Sequence, residues 1–220
     1  MKTSKVLVLD DEPSNVEALL EYFASSGIEY DFEDSLENGA NLIANAQKDG
    51  NPYDAVICDN HFSGSELSEY GDVFDGLDLL NTLIGNEQNM TENHKKFAED
   101  YFGSEYDAIT SHYKGKVILF SGSAYGDSLH TPELFSGIYV VQKQPDEEGQ
   151  YCEADVIGTM RTMGFDFEKD VSAIKDYKAN RSLEDGIPSD ADHNITVEEF
   201  FRKAGLPAEE IDQYCDSEML

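Results

Sequence analysis

The chain has 220 residues, of which 40% are hydrophobic, and its 46 acidic and 15 basic side chains give a formal net charge of −31. A surface this negative repels phosphate backbones and anionic lipid, which argues against a nucleic-acid-binding output and against a membrane-surface role. No apolar run approaches about 18 residues and the three cysteines are far apart, so we expect an intracellular, cytoplasmic protein with reduced thiols and no membrane span.

The first quarter of the chain predicts a regular alternation of strands and helices. Apolar, β-branched runs indicate buried strands, and apolar residues three and four apart indicate helices between them. The predicted elements are strands at Lys5–Leu9, 28–32 and Ala55–Cys58, a helix from Pro13 to Gly27, and a helix from Ser35 to about Gly50. The order β-α-β-α-β predicts a doubly wound parallel sheet with right-handed crossovers.

The rest of the chain continues the alternation but interrupts it twice. Residues 61–75, rich in glycine, serine and acids, predict a long loop, and residues 87–115 form a second long connection with one helix from about Thr91 to Phe102. Connections this long in a compact fold are usually functional. The remaining predicted elements are a helix at Gly76–Ile84, strands at 116–120 and 138–141, and a helix at 154–163.

Polar side chains follow the predicted strands at the points where they end. Asp10 and Asp11 follow the first strand, Asp59 the third and Ser121 the fourth, while Lys143 comes shortly after the fifth. Ligands of open α/β sheets bind beyond the carboxyl ends of the strands, so these groups should converge there. Carboxylates packed closely repel one another unless a cation neutralises them, and Mg²⁺ suits such a set because it keeps a position for a phosphate oxygen.

The same motifs, taken in order, resemble the receiver domain of two-component response regulators. They are Leu-Asp-Asp-Glu-Pro at residues 9–13, the lone Asp59, Phe-Ser-Gly at residues 120–122, and Lys143 close to Pro145. The resemblance covers about residues 4–165. It implies a flavodoxin-like, five-stranded parallel sheet, and a signalling protein that is not an enzyme beyond self-catalysed phosphoryl transfer to and from one aspartate.

The resemblance also implies a role for each residue of the predicted site. Asp59 would accept a phosphoryl group from a histidine kinase or phosphotransfer protein, and a downstream protein partner would read the change. The implied Mg²⁺ ligands are Asp11, Asp59 and the backbone carbonyl of His61, with Asp10 acting largely through water. Ser121 would hydrogen-bond the phosphoryl group and Lys143 would form an ion pair with it.

The chain departs from the family pattern around the fifth strand. Gln144 separates Lys143 from Pro145, and the position three residues before Lys143, where the family has a switch aromatic, is Val140. Tyr139 is one residue early, and a shift of one residue reverses the side that a strand residue faces. Either a bulge lets both Tyr139 and Lys143 serve, or one is displaced; with Tyr139 in register, Gln142 would hold the lysine position.

We therefore expect a receiver domain at residues 1–165, with insertions at about 61–75 and 87–115, and a helical C-terminal extension at 166–220. The expected function is Mg²⁺-dependent phosphorylation of Asp59 that controls a protein–protein contact. One alternative is a degenerate receiver that serves as an acidic interaction scaffold. Another, a metal-dependent phosphohydrolase with Asp59 as nucleophile, would want a carboxylate two residues later, where the chain has His61.

Overall fold

A computed structural model describes residues 4–62, 67–70, 74–88, 90–121, 137–143 and 154–167. All of these residues belong to one compact unit, Met1–Ile174. The predicted helical extension at 166–220 and Pro145 lie outside the described residues except for 166–167, so the predicted domain division stays a prediction.

Five strands form one parallel sheet. They are β1 (Lys5–Leu9), β2 (Glu29–Glu33), β3 (Ala55–Cys58), β4 (Val117–Ser121) and β5 (Tyr139–Gln142). Their order is β2-β1-β3-β4-β5 and every neighbouring pair is parallel. This order is that of flavodoxin-like doubly wound sheets, which confirms the predicted fold class.

Strand bounds differ from the predicted ones by one residue at β2, β4 and β5. At β2 the reason is visible: the N–H of Ile28 donates to the carbonyl of Phe23 at 3.1 Å. Ile28 therefore closes the end of the preceding helix, where Gly27 has a left-handed φ of 71°. The strand ladder begins only at Glu29.

Six α-helices flank the sheet in the described part of the chain. They are α1 (Glu17–Ser26), α2 (Leu36–Lys48), α3 (Gly76–Ile84), α4 (Glu92–Tyr101), α5 (Tyr106–Tyr113) and α6 (Ala154–Thr162). None of them is long and apolar enough to cross a membrane. The predicted bounds of α3 are confirmed, whereas α1 begins late because Pro13–Asn15 forms a separate 3₁₀ turn.

The helix α5 was not predicted from the sequence. It has eight residues, only two of them buried, so its apolar stripe is too short to stand out. Its buried side chains, Ile109 and Tyr113, belong to the main hydrophobic core, which also contains Val117 of the sheet. The second insertion is thus helical along most of its length and packs against α3.

Helices cover both faces of the sheet, which is why β1, β3 and β4 are so apolar. Residues of β1 from Val6 to Leu9 are all buried. Leu7 and Leu9 belong to the core cluster under α2 and α3, and the alternation of a strand turns Val6 and Val8 to the opposite face. Leu19 of α1 and Met160 of α6 are completely buried outside that cluster.

Candidate functional site

The register of the central strands brings two of the predicted acids together. Leu9 and Cys58 are partners in the β1–β3 ladder, so Asp10 and Asp59 leave the sheet side by side. The N–H of Asp59 donates to the carbonyl of Leu9 at 2.8 Å, which extends the ladder by one bond. The adjacency of β1 and β3, which the sequence only suggested, therefore fixes where both carboxylates stand.

Three carboxylates meet at this edge of the sheet. Asp10, Asp11 and Asp59 each offer an oxygen within 4.8 Å of the others, and no other trio of this kind occurs among the described residues. Asp10 is 1% exposed and Asp59 is 8% exposed. Carboxylate oxygens at this spacing match the hard-oxygen ligands that Mg²⁺ takes, and the mutual repulsion of the acids favours a cation between them.

A buried ammonium group joins the carboxylates. The Nζ of Lys143 lies 2.6 Å from Oδ2 of Asp10 and 3.1 Å from Oδ2 of Asp59, and the side chain is 3% exposed. Burial raises the pKa of Asp10 above its ordinary value, and the charge and hydrogen bond of Lys143 act in the opposite direction. Lys143, placed after β5, thus partly neutralises the cluster.

Both oxygens of Asp10 have protein donors. Oδ2 faces Lys143, while Oδ1 accepts from the N–H of Glu12 at 3.0 Å and from the side-chain amide of Asn15 at 3.3 Å. Because both of its oxygens are already engaged, Asp10 is better suited to hydrogen-bond a metal-bound water or to orient a neighbouring side chain than to ligate a metal ion directly. Asn15 was not singled out from the sequence, because an asparagine in a turn ordinarily serves its own backbone.

The segment after Asp59 is held tightly against the start of α3. The N–H of Asn60 donates to Oδ1 of Asp59 at 2.7 Å, and its side-chain oxygen accepts from the N–H of Leu77 at 3.2 Å. The N–H of Gly76 donates to the carbonyl of Asn60 at 2.9 Å. The 61–75 insertion therefore begins and ends at the same point, beside the Asp59 carboxylate, and Asn60 is a further residue that the sequence reasoning missed.

The other predicted site residues have the following positions. Ser121 is 1% exposed at the end of β4, and its carbonyl accepts from the N–H of Lys143 at 3.1 Å. His61 has an exposed side chain two residues after Asp59. Tyr139 opens β5 and is partly exposed, whereas Val140 packs against the core cluster, so strand alternation turns the two to opposite faces. The switch role of Tyr139 stays a prediction.

No protein-family model matches the sequence, and no curated protein shows significant similarity to it. Among solved structures, the chain is similar to a response regulator receiver domain protein from Clostridium thermocellum, with 18% identity, a TM-score of 0.44, and coverage of 80% of this chain and 98% of that one. It is also similar to a CheY-like receiver domain protein from Methanospirillum hungatei, with 14% identity, a TM-score of 0.44, and coverage of 73% and 93%.

A third similar structure is a complex of CheX with CheY, beryllofluoride and Mg²⁺ from Borrelia burgdorferi. Its identity is 18%, its TM-score is 0.45, and the match covers 74% of this chain and 90% of that one. The assignment of the fold rests on the strand order and register of the chain itself.

Proposed function

We propose that the chain is a phosphoacceptor response regulator of the two-component or phosphorelay type. Asp59 accepts a phosphoryl group from a histidine kinase or a phosphotransfer protein in a Mg²⁺-dependent step, and the modified site controls contact with a partner protein. One observation carries the proposal: the carboxylates of Asp10, Asp11 and Asp59 and the ammonium of Lys143 converge at the carboxyl edge of the sheet.

The donor set suits a magnesium ion at this edge. Asp11 and Asp59 would hold it with the carbonyl of His61, and Asp10, whose two oxygens already have protein donors, would act through water. When bound, Mg²⁺ neutralises the acids and attracts an oxygen of the incoming phosphoryl group.

Asp59 is the nucleophile of the proposed reaction. An oxygen of its carboxylate attacks the phosphorus of a phosphohistidine donor; the new O–P bond forms as the P–N bond breaks, and the imidazole leaves as its neutral form after taking up one proton. The N–H of Asn60 fixes Oδ1 of Asp59, which limits the orientations of the carboxylate. Lys143 is close enough to turn its ammonium from Oδ2 to a phosphoryl oxygen, and Ser121 supplies a hydroxyl donor at the neighbouring strand end.

The proposed output is a contact between proteins. A chain with a net charge of −31 is a poor ligand for nucleic acid, so a binding surface for another protein is the better output. The position of Lys143 favours a working phosphoacceptor over an inert acidic scaffold, because its ammonium lies 3.1 Å from Asp59 and is not displaced from the site by Gln144.

The test is phosphorylation of the whole chain by acetyl phosphate with Mg²⁺, followed by intact mass measurement. We expect one phosphoryl adduct, which disappears when Mg²⁺ is chelated and in the Asp59→Asn variant. Asp34→Asn, at an exposed residue beyond β2, is the matched control and keeps the adduct. An unmodified wild-type chain would favour the scaffold, and steady release of phosphate without an accumulating adduct would favour a phosphohydrolase.

A further inference from the structure

The two insertions pack on each other although eleven residues of α3 and its turn separate them in the chain. The ring of Tyr70, from the first insertion, meets the ring of Phe97 of α4 edge-on at 5.3 Å between centroids, and Phe74 stacks on Phe97 at 4.6 Å. The hydroxyl of Tyr70 donates to Oδ2 of Asp100 at 2.9 Å. Phe97 is completely buried, and these rings are the part of the main hydrophobic core that the two insertions share.

This shared core is anchored at the first turn of α3. Asp75 caps the helix: its Oδ1 accepts from the N–H of Asp78 at 3.0 Å, and its own N–H donates to Oδ2 of Asp78 at 3.1 Å. The next residue, Gly76, is the one that touches the backbone of Asp59. The capping residue Asp75 therefore directly precedes the residue that contacts the backbone of Asp59, the proposed phosphorylation site.

The second carboxylate oxygen of Asp78 connects this turn to the second insertion. Oδ1 of Asp78 lies 2.8 Å from Nε2 of His94, which is 7% exposed. The other ring nitrogen, Nδ1, lies 2.8 Å from the N–H of Thr91 and so must accept, which leaves the proton on Nε2 to donate to Asp78. One carboxylate therefore bonds to the start of α3 and to the start of α4 at the same time.

We propose that the pair of Asp78 and His94 couples the Asp59 site to α4, and that the second insertion reads out the state of Asp59. The inference rests on the proposed function. Asp59 and the first turn of α3 cannot move far independently of each other. The N–H groups of Gly76 and Leu77 both donate to Asn60, the residue after Asp59. A displacement at Asp59 is passed to Asp75 and Asp78, and the hydrogen bond to His94 passes it to the start of α4.

Two substitutions of His94 separate this coupling from the local capping role. In His94→Asn the carboxamide oxygen takes the place of Nδ1 and can still accept from Thr91, but the shorter side chain does not reach Asp78. In His94→Gln the carboxamide nitrogen takes the place of Nε2 and can still donate to Asp78, and glutamine at this position of the helix is also compatible with a cap at Thr91. The first variant keeps the cap and loses the hydrogen bond to Asp78, and the second keeps the hydrogen bond to Asp78.

The experiment compares the full chain and both variants with and without Mg²⁺ and beryllofluoride, a phosphoryl mimic. A bound-fluoride ¹⁹F resonance reports occupancy of the site, and amide hydrogen exchange reports the state of α4. In the wild type we expect exchange rates in Glu92–Tyr101 to change by about fivefold or more on binding, the lower range of a typical coupling. His94→Gln keeps this change, while His94→Asn binds the mimic and loses it.

The outcomes divide as follows. A bound resonance with unchanged exchange in α4 of the wild type overturns the inference alone, and so does a full response in His94→Asn. Loss of the response in both variants, with fluoride bound, also overturns it, because the hydrogen bond to Asp78 that His94→Gln retains would then not transmit the change. Absence of any bound resonance in the wild type overturns the proposed function, and this inference with it.

Discussion

Gly76 stands against the carbonyl oxygen of Asp59 so closely that a Cβ on Gly76 would lie 1.7 Å from that oxygen. Such a Cβ would also lie 2.9 Å from Sγ of Cys58. The first turn of α3 can approach the proposed phosphoacceptor only because the residue there has no side chain. The glycine thereby ties the position of Asp59 to the position of α3.

Replacing Gly76 with alanine should therefore move the Asp59 backbone. We expect a loss of folding stability of about 3 kcal/mol, the upper range for an overpacked site, together with loss of beryllofluoride binding. Urea unfolding and ¹⁹F resonance measure the two effects. Gly158→Ala is the control, because Gly158 is exposed in α6 with nothing near its Cβ position; it should stabilise by about 0.5 kcal/mol. A Gly76→Ala variant as stable as the wild type would contradict the expectation.

Replacing Lys143 with methionine should change the affinities for Mg²⁺ and for beryllofluoride in opposite directions. Without the ammonium, the buried carboxylates of Asp10 and Asp59 have no cation beside them. The free energy of unfolding of the metal-free protein should therefore fall by about 3 kcal/mol. The more negative site then binds Mg²⁺ more tightly and beryllofluoride more weakly. Calorimetric titration and ¹⁹F resonance measure these affinities. Lys95→Met, at an exposed lysine of α4, should change neither.

Magnesium should stabilise the wild-type fold and fail to stabilise an Asp11→Asn variant. A ligand that binds only the folded state adds RT ln(1 + [L]/Kd) to the unfolding free energy, about 2.7 kcal/mol at a hundredfold excess over Kd. Asp11 is partly exposed, so its substitution should leave the metal-free fold intact. Thermal melts with and without Mg²⁺ measure the response. Equal responses in Asp11→Asn and wild type would remove Asp11 from the ligand set; Asp34→Asn serves as the control that retains the wild-type response.

Asp75 should make the fold less stable as pH rises. Burial, with a smaller contribution from Asp78, raises its pKa from 3.8 to about 6. The folded state binds the proton on Asp75 more tightly than the unfolded state does. Protonation therefore contributes to the free energy of unfolding, fully below about pH 4, and this contribution is lost as pH rises through about 6. Asp75→Asn keeps the capping acceptor and removes the titration. Urea midpoints across this range should fall more for the wild type than for the variant. Parallel curves would refute the assignment.

Truncating Phe97 to alanine should weaken the contact between the two insertions. The side chain is completely buried between Phe74 and Tyr101, so we expect the free energy of unfolding to fall by about 4 kcal/mol. Urea unfolding measures the loss, and hydrogen exchange should show it in α4. Asn93→Ala, at an exposed position of the same helix, should stay within about 0.5 kcal/mol of the wild type. A small effect at Phe97 would mean that the insertions do not depend on each other.

The parallel sheet was predicted from short apolar runs. A central strand that is covered by helices on both faces has no solvent-exposed side, so its residues are mostly apolar. The same runs end at Asp10, Asp59 and Ser121, which placed these groups at one edge before any contact was known. The bounds of α3 were predicted from its run of leucines, and in the structure Asp75 caps the helix and the left-handed Gly85 ends it. Local signals of this kind act within one turn and can be read from the chain.

Contacts between distant residues decided the rest. The position of Lys143 depends on how β5 pairs with β4, because one step of register turns a side chain to the other face. The packing of Tyr70 on Phe97, the bond from Asp78 to His94, and the fit of Gly76 against Asp59 join segments with no common pattern. Sequence alone determined which chemical groups end the strands. Only the folded chain decided which of them touch, since packing at close distances depends on the whole surroundings of each side chain.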